Sequence, residues 1–254
     1  MEYNPFSLQR KNIIVTGASS GIGRQSAIDC SRMGARVALI GRNIERLKET
    51  LSQMYGEGHE IFILDLTDGI LLQNKVSEIV ERMGVLDGIL HCAGISSVLP
   101  LKLAKRADME RFMNTNVYSA IELTRECLKK KNFSPEGGAV IFLSSVMGIV
   151  GEKAKFLYSM TKGALISGCK SLALEYAQRK IRINCISPGA IETPLNASLP
   201  YMADKEMRSE LEAKHPLGLG QTSDISHCAI YLLSNASRWI TGQNIIVDGG
   251  YTAI

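Results

Sequence analysis

The sequence predicts an α/β protein in which helices cover both faces of a doubly wound parallel sheet. One observation is that short runs rich in β-branched residues alternate with longer amphipathic segments along the chain. Another is that several of these short runs are apolar throughout, as in residues 37–40 and 140–143. Strands buried on both faces have this composition, because helices shield both sides of a parallel sheet from water.

Seven runs are predicted as strands, namely residues 12–16, 36–40, 60–65, 88–93, 139–144, 182–187 and 244–248. A helix is predicted where apolar residues recur on one helical stripe, at Leu72, Val76, Ile79, Val80 and Met83. No internal repeat or linker divides the chain, so residues 1–254 are expected to form one domain. The less regular residues 190–220 are expected to form a lid on the substrate side, with a charged helix over 203–214.

Composition excludes several classes of protein. Of 254 residues, 45% are hydrophobic and 21% are charged, which excludes disorder, collagen or a coiled coil as a description of the whole chain. The net charge of +4 is too small to indicate a nucleic-acid partner. The N-terminus does not resemble a signal peptide, and no apolar run is long enough to span a membrane. The six cysteines form no C-x-x-C pair, so we expect no metal site, reduced thiols and a cytoplasmic location.

The first predicted strand runs into the loop TGASSGIG at residues 16–23, and a predicted helix follows. Glycines allow the backbone to approach a phosphate closely, and the amides of a helix N-terminus bind anions. The loop therefore predicts a dinucleotide phosphate site formed by Gly17, Ser19, Ser20, Gly21, Ile22 and Gly23. It could also be an ordinary turn, or the nucleophile elbow of an α/β-hydrolase with Ser19 as nucleophile. The hydrolase is disfavoured because no oxyanion-hole loop lies among the preceding 16 residues.

The second predicted strand is followed by Gly41, Arg42 and Asn43. A site specific for NAD would place a carboxylate near here to bind the ribose 2′-hydroxyl. An arginine instead offers a planar fork to a 2′-phosphate, which favours NADP(H) as the cofactor. Arg42 could also be a solvated charge at the start of a helix. Asp65 is expected to meet the adenine amino group, or to cap the next helix.

A general acid–base pair is predicted at Tyr158 and Lys162, which lie four residues apart on one helical face. A free tyrosine has a pKa of ~10, and a nearby ammonium stabilises the phenolate and lowers that pKa. Ser145 follows a buried strand and could donate a hydrogen bond to a carbonyl oxygen. Asn116 lies within a helical segment, where asparagine is unfavourable, so it is expected either to bind water or a lysine or to be a tolerated surface residue.

Over almost its full length the chain resembles the single-domain short-chain dehydrogenase/reductases. The matching pieces are residues 16–23, Asp65-Leu66, Ala93-Gly94, Asn116, Ser145, Tyr158-x-x-x-Lys162, Pro188-Gly189 and residues 240–250. The resemblance implies a Rossmann-type sheet of seven parallel strands, a cofactor across the strand carboxyl ends and a homotetramer. It also implies that Asn116, Ser145, Tyr158 and Lys162 are catalytic. Further cofactor contacts are then expected from Leu66, Cys92, Ala93, Gly94, Tyr158, Lys162, Pro188, Gly189, Ile191 and Thr193.

In the implied mechanism Tyr158 gives a proton to the carbonyl oxygen, and Ser145 holds that oxygen as negative charge develops. Lys162 lowers the tyrosine pKa and binds the nicotinamide ribose, while Asn116 holds a water that passes protons toward Lys162. Substrate contacts are expected from Ser145, Met147 and Tyr158. One departure is His91-Cys92 where the family often has two asparagines, so an amide that could tie neighbouring strands is lost. His91 is expected to be an interior histidine.

The residues expected around the substrate are mostly apolar, which favours an uncharged ketone beside a hydrophobic or extended group. The subgroup that looks nearest is the 3-oxoacyl-(acyl-carrier-protein) reductases. Lys129, Lys130 and Lys131 are expected to close the helix that carries Asn116 and could dock an acidic carrier protein, although such runs are often only solvated. The alternatives are a dehydrogenase of another ketone, sugar or steroid-like alcohol, and a non-catalytic NADP-binding sensor.

Overall fold

The structure is a computed structural model that describes residues 3–194 and 204–253. Its strands are β1 (Asn12–Thr16), β2 (Arg36–Gly41), β3 (Glu60–Ile63), β4 (Gly88–His91), β5 (Gly138–Leu143), β6 (Ile181–Pro188) and β7 (Asn244–Val247). Its helices are α1 (Gly21–Arg32), α2 (Ile44–Leu51), α3 (Gly69–Met83), α4 (Arg106–Met113), α5 (Ser119–Cys127), α6 (Phe156–Tyr176), α7 (Lys205–Ala213) and α8 (Thr222–Leu233). A π-helical turn, Asn114–Tyr118, joins α4 to α5.

The strands form one parallel sheet in the order β3-β2-β1-β4-β5-β6-β7. This confirms the predicted doubly wound α/β fold. The chain starts at the centre, winds outward to β3, and then returns to place β4 on the other side of β1. Connections leave in opposite directions on the two sides of this switch point, so a crevice opens at the carboxyl ends of β1 and β4.

All seven predicted strands are present, but four of the predicted ends extend too far. Asp65, Ala93, Ser144 and Asp248 each lie beyond the last residue of their strand. The β2–β3 ladder, for example, ends where Gly41 pairs with Ile63. The Asp65 and Asp248 side chains accept hydrogen bonds from the Thr67 and Thr252 amides in the following loops, whereas the Ser144 amide still donates to Ile186 of β6.

Two hydrophobic cores lie on opposite faces of the sheet. Helices α3, α5 and α6 cover one face, and α1, α2 and α8 cover the other. The predicted stripe on α3 faces the first core, with Leu72, Val76, Ile79 and Met83 buried and Val80 partly buried. None of the helices within the described ranges is long and apolar enough to cross a membrane.

Two predictions about helices need correction. The charged helix predicted over 203–214 is α7, which begins at Lys205 because the Asp204 side chain accepts a hydrogen bond from the Met207 amide. Position 203 lies outside the described residues. The lysine run does not close the Asn116 helix, because α5 ends at Cys127 and the lysines follow it. Lys129 is ion-paired with Glu126.

Candidate active site

The glycine loop approaches the end of β4 so closely that its first position has no room for a side chain. Gly17 has a φ of +66°, a conformation that favours glycine. A Cβ atom on Gly17 would lie 3.0 Å from the Ala93 nitrogen. A Cβ on Gly23 would overlap the Gly17 carbonyl oxygen. The loop therefore leaves bare backbone at the N-terminus of α1, which suits a phosphate group.

Thr16 joins this loop to β4, a role that sequence analysis missed. Its hydroxyl oxygen accepts hydrogen bonds from the Cys92 and Ala93 amides, both at 3.1 Å. The sequence analysis expected that Cys92, in place of an asparagine, would leave neighbouring strands without a side-chain tie. The Thr16 side chain makes such a tie between β1 and the residues after β4. Thr16 is part of the loop motif, but the sequence does not indicate which backbone amides its hydroxyl would bind.

A cleft of about 1160 Å³ crosses the carboxyl ends of the strands from the glycine loop to α4. A smaller cavity of about 80 Å³ adjoins it and shares Ile22, Cys92, Gly94, Ile95, Leu143 and Thr193 with its wall. Predicted cofactor residues that line the large cleft are Gly17, Ser19, Ser20, Gly21, Ile22, Gly23, Arg42, Asn43, Asp65, Leu66, Cys92, Ala93, Gly94 and Thr193. Predicted residues that line only the small cavity are Ser145, Tyr158, Lys162, Pro188, Gly189 and Ile191. The size of the large cleft, and the bare backbone of the glycine loop at one end of it, fit an extended dinucleotide.

Arg42 and Asp65 meet at the far end of this cleft. The Arg42 side chain is 76% exposed, and its Nη1 lies 3.6 Å from Asp65 Oδ2. Hydrogen bonds from the Thr67 amide and hydroxyl lower the pKa of Asp65, and Arg42 lowers it further. Asp65 does not cap the next helix, because Asp68 does so. Asn43 caps α2, where its side chain accepts a hydrogen bond from the Arg46 amide.

Tyr158 and Lys162 lie on the first turns of α6, against the small cavity. Lys162 Nζ donates a hydrogen bond of 2.6 Å to the Leu143 carbonyl and lies 5.4 Å from the centre of the Tyr158 ring. Burial raises the pKa of Tyr158 to about 12, opposed by a hydrogen bond with the Ser145 side chain. Burial lowers the pKa of Lys162 to about 8. At neutral pH Tyr158 therefore carries its proton, as an acid that protonates a carbonyl must.

The lowered tyrosine pKa that the sequence predicts is not what this structure shows. The Tyr158 ring is buried, and removal from water disfavours the phenolate. Lys162 is held toward Leu143, and burial also disfavours its charged form.

Ser144 and Ser145, which follow β5, make different contacts. Ser145 Oγ accepts a hydrogen bond from the Met147 amide at 3.2 Å and bonds to Tyr158. Ser144 Oγ donates to the Lys162 carbonyl at 2.9 Å, a contact that sequence analysis missed, and so holds α6 against the sheet. Met147 is buried, and it is absent from the described residues that line either cavity. Its observed part in the site is to orient Ser145 through its amide.

Asn116 lies in the π-helical turn, and both the oxygen and the nitrogen of its side-chain amide are hydrogen-bonded. Its Oδ1 accepts from the Ile95 amide at 2.8 Å, and its Nδ2 donates to the Ile95 carbonyl at 2.9 Å and to Thr161 Oγ1 at 3.0 Å. A Cβ atom on Gly94 would lie 3.2 Å from Asn116 Oδ1 and 3.7 Å from Lys162 Nζ. Asn116 thus ties the chain after β4 to α6 beside Lys162, while its water-holding role stays a prediction.

His91 lies in the interior, as expected. Its Nε2 is 2.8 Å from Thr124 Oγ1, and its ring stacks on Phe142. Burial lowers its pKa to about 3, so the ring is neutral. Its Nδ1 is buried without a hydrogen-bond partner in the described part of the chain. Within that part, no cluster of three or more potential ligands could hold a metal ion.

Comparison with known proteins, like the geometry of the cleft, indicates an oxidoreductase. A family profile described as enoyl-(acyl carrier protein) reductase matches residues 17–252. Glucose 1-dehydrogenase of Gluconobacter oxydans is 35% identical over 95% of this chain and 92% of its own length. The 3-oxoacyl-[acyl-carrier-protein] reductase of Homo sapiens is 32% identical over 94% of this chain and 97% of its own length.

Solved structures share the fold. A putative short-chain alcohol dehydrogenase from Sinorhizobium meliloti superposes with a TM-score of 0.91 at 30% identity, covering 98% of this chain and 99% of that one. A putative 2-deoxy-D-gluconate 3-dehydrogenase from Agrobacterium tumefaciens with bound NADP gives 0.89 at 26% identity, covering 99% and 100%. The names of these relatives give different substrates.

Proposed function

Because this chain belongs to the short-chain dehydrogenase/reductase family of alcohol and ketone oxidoreductases, we propose that it transfers a hydride between NADP(H) and a carbonyl or secondary alcohol. The observation that carries the proposal is the continuity of the dinucleotide-sized cleft with the small cavity that holds Tyr158, Lys162 and Ser145. A carbonyl bound in that cavity would lie between the cofactor cleft and the tyrosine hydroxyl.

The chain's own residues then handle the proton and the developing charge. The nicotinamide, when bound, supplies or accepts the hydride. In reduction, Tyr158 gives its hydroxyl proton to the carbonyl oxygen, while the Ser145 hydroxyl donates a hydrogen bond to the same oxygen. The positive charge of Lys162 favours the phenolate that forms, and its ammonium would also bind the nicotinamide ribose. Asn116 would hold a water that returns a proton toward Lys162.

NADP(H) is proposed over NAD(H) because an exposed guanidinium, rather than a carboxylate, follows β2. Arg42 lines the cleft and lies beside Asp65. Its guanidinium could bind a 2′-phosphate and Asp65 at the same time. Charge-assisted hydrogen bonds to a phosphate are stronger than neutral ones.

Replacing Arg42 with alanine is expected to weaken NADPH binding about 10- to 100-fold, the effect of losing hydrogen bonds to a charged group. NADH affinity should change less than about twofold, because that cofactor has no 2′-phosphate for the guanidinium to bind. Dissociation constants from nicotinamide fluorescence check both values. Lys48→Ala is the matched control, because Lys48 is a surface cation on α2 that pairs with Glu45. Equal losses for the two cofactors would show that Arg42 does not recognise the phosphate.

For the substrate we propose a 3-oxoacyl thioester. Apolar side chains support this, since Ile95 and Ile191 line the small cavity and Val98 and Ile149 are exposed nearby in sequence. Lys130 and Lys131 are exposed and could contact an acyl carrier protein, whereas Lys129 is paired with Glu126. The names of several relatives include this activity.

A sugar or sugar acid is the second candidate. Glucose 1-dehydrogenase and gluconate 5-dehydrogenase of Gluconobacter oxydans are similar to this chain at 35% and 32% identity. Lys155, immediately before α6, is buried and lines neither cavity, so it does not decide between the two candidates.

Oxidation of NADPH with acetoacetyl thioesters, beside a panel of ketones, ketoses and keto-acids, tests the proposed function. Turnover of the thioester is expected, with faster turnover when a carrier protein bears the acyl group. Turnover confined to the sugars would favour the second candidate. Cofactor binding without turnover of any carbonyl would contradict the proposed catalysis and favour a sensor.

The assembly and cellular location are proposed on separate grounds. Leu174 and Met160 on α6 are 80% and 60% exposed, and these two apolar side chains on the outer side of the helix support the expected homotetramer. All six cysteines are free thiols, which supports the reducing environment of the cytoplasm. We also propose that residues 190–220 act as a lid; residues 195–203 of this segment lie outside the described residues.

A further inference from the structure

His215 connects three segments that are distant in sequence. It follows α7, and its Nδ1 lies 2.7 Å from the Leu211 carbonyl oxygen of that helix. Its Nε2 lies 3.2 Å from the Ala190 amide nitrogen, in the loop after β6. The ring stacks on Tyr251 of the C-terminal segment, with centroids 4.8 Å apart and planes inclined by 24°. The residue is 4% exposed.

The partners of the ring determine its protonation state. A backbone amide can only donate a hydrogen bond, and a backbone carbonyl can only accept one. Nε2 must therefore accept from Ala190, and Nδ1 must carry the proton that bonds to Leu211. This arrangement requires a neutral imidazole. Protonation would place a second N–H on Nε2, opposite the Ala190 N–H, and the hydrogen bond would be lost.

The loop that His215 holds forms one wall of the proposed active site. Ala190 lies between Gly189 and Ile191, which line the same small cavity as Tyr158. On its other side this loop is fixed by Gly220, whose amide donates to the Ala190 carbonyl and whose carbonyl accepts from the Glu192 amide, both at 3.0 Å. His215 provides the side-chain contact to the Ala190 amide itself.

A second contact joins α7 to the same loop. Arg208 Nη2 lies 2.5 Å from Glu192 Oε1 and Arg208 Nε lies 2.9 Å from Glu212 Oε1. Both groups are solvent-exposed, so this ion pair is weaker and more easily screened than a buried contact. The buried His215 bond is thus the more specific of the two connections.

We propose that His215 is a positioning residue, whose ring nitrogen holds the Ala190 loop in the conformation that binds the nicotinamide end of the cofactor. This inference rests on the proposed cofactor binding. It predicts that cofactor affinity depends on a hydrogen bond made by a histidine that does not contact the reacting atoms.

The test compares His215→Phe and His215→Gln with the unaltered chain at pH 8. Phenylalanine keeps a ring to stack on Tyr251 but accepts no hydrogen bond, whereas glutamine can accept from Ala190 and donate to Leu211. His227→Gln on the exposed side of α8 is the matched control. Dissociation constants for NADPH are measured by nicotinamide fluorescence. Hydrogen exchange over residues 189–193 is measured in the cofactor-free protein.

We expect His215→Phe to weaken binding about tenfold at pH 8, the effect of one lost hydrogen bond, and to accelerate exchange in the loop. His215→Gln should restore both. His227→Gln should match the unaltered chain in both measurements.

Unchanged binding and loop exchange in His215→Phe would overturn the proposal. So would a failure of His215→Gln to restore them. If the unaltered chain binds no nicotinamide cofactor at all, the proposed function fails. The exchange measurement then still decides, by itself, whether His215 holds the Ala190 loop.

Discussion

Tyr158→Phe is expected to lower turnover about 10³-fold, within the range typical of losing a general acid. The substitution removes only the hydroxyl, so the ring remains packed and its stacking volume is kept. NADPH affinity should change less than about twofold, because the hydroxyl acts in the proton transfer rather than in phosphate binding. Steady-state kinetics with the best carbonyl of the panel, together with cofactor fluorescence, check both values.

Tyr176→Phe is the matched control, since Tyr176 is the last residue of α6 and lies far along the helix from the cavity. It should retain full turnover. Near-normal turnover in Tyr158→Phe would show that another group supplies the proton. A parallel collapse of cofactor binding would instead mean that the substitution disturbs the fold of the site.

Lys162→Met is expected to lower turnover about 10²- to 10³-fold, because the buried cation that favours the phenolate is lost. It should also change the pH profile of carbonyl reduction. Lys162 has a pKa lowered to about 8, so it is charged below that pH and loses its charge as the pH rises through it. The unaltered enzyme should therefore reduce fastest below pH 8 and slow above it. The methionine variant should lack that decline.

Lys170→Met provides the control, since Lys170 is on the exposed side of the same helix. Its rate and its pH profile should match those of the unaltered enzyme. A decline near pH 8 that persists in Lys162→Met would assign the titration to another group.

Residues whose roles depend on short spacing could be predicted from the sequence. Tyr158 and Lys162 are four residues apart, and a helix brings such a pair to one face whatever surrounds it. Gly23 is required by a turn that the loop itself makes, because a Cβ there would overlap the Gly17 carbonyl oxygen, and Gly17 is favoured by its positive φ. The strands were predicted because continuous apolar runs indicate burial on both faces. Their ends were less accurate, since pairing with a neighbour decides where a strand stops.

Residues whose partners are distant backbone groups could not be predicted. Thr16 meets the Cys92 amide, Ser144 meets the Lys162 carbonyl, and His215 meets the Ala190 amide. Every residue except proline carries the same amide and carbonyl, so the sequence contains no sign of which one a side chain will reach. The tyrosine pKa is a similar case, because it depends on how deeply the folded chain buries Tyr158.

The sequence by itself determined the alternation of strands and helices, the glycine loop, the Tyr158–Lys162 pair and the arginine after β2. All of these depend on spacing over a few residues, which local chain geometry translates directly into structure. Only the tertiary structure decided how the cleft joins the small cavity lined by Tyr158 and Lys162, that Asn116 bonds the chain after β4, and that His215 bonds the loop after β6. These contacts join residues that are 21 or more positions apart, and only the packing of helices on the sheet brings them together.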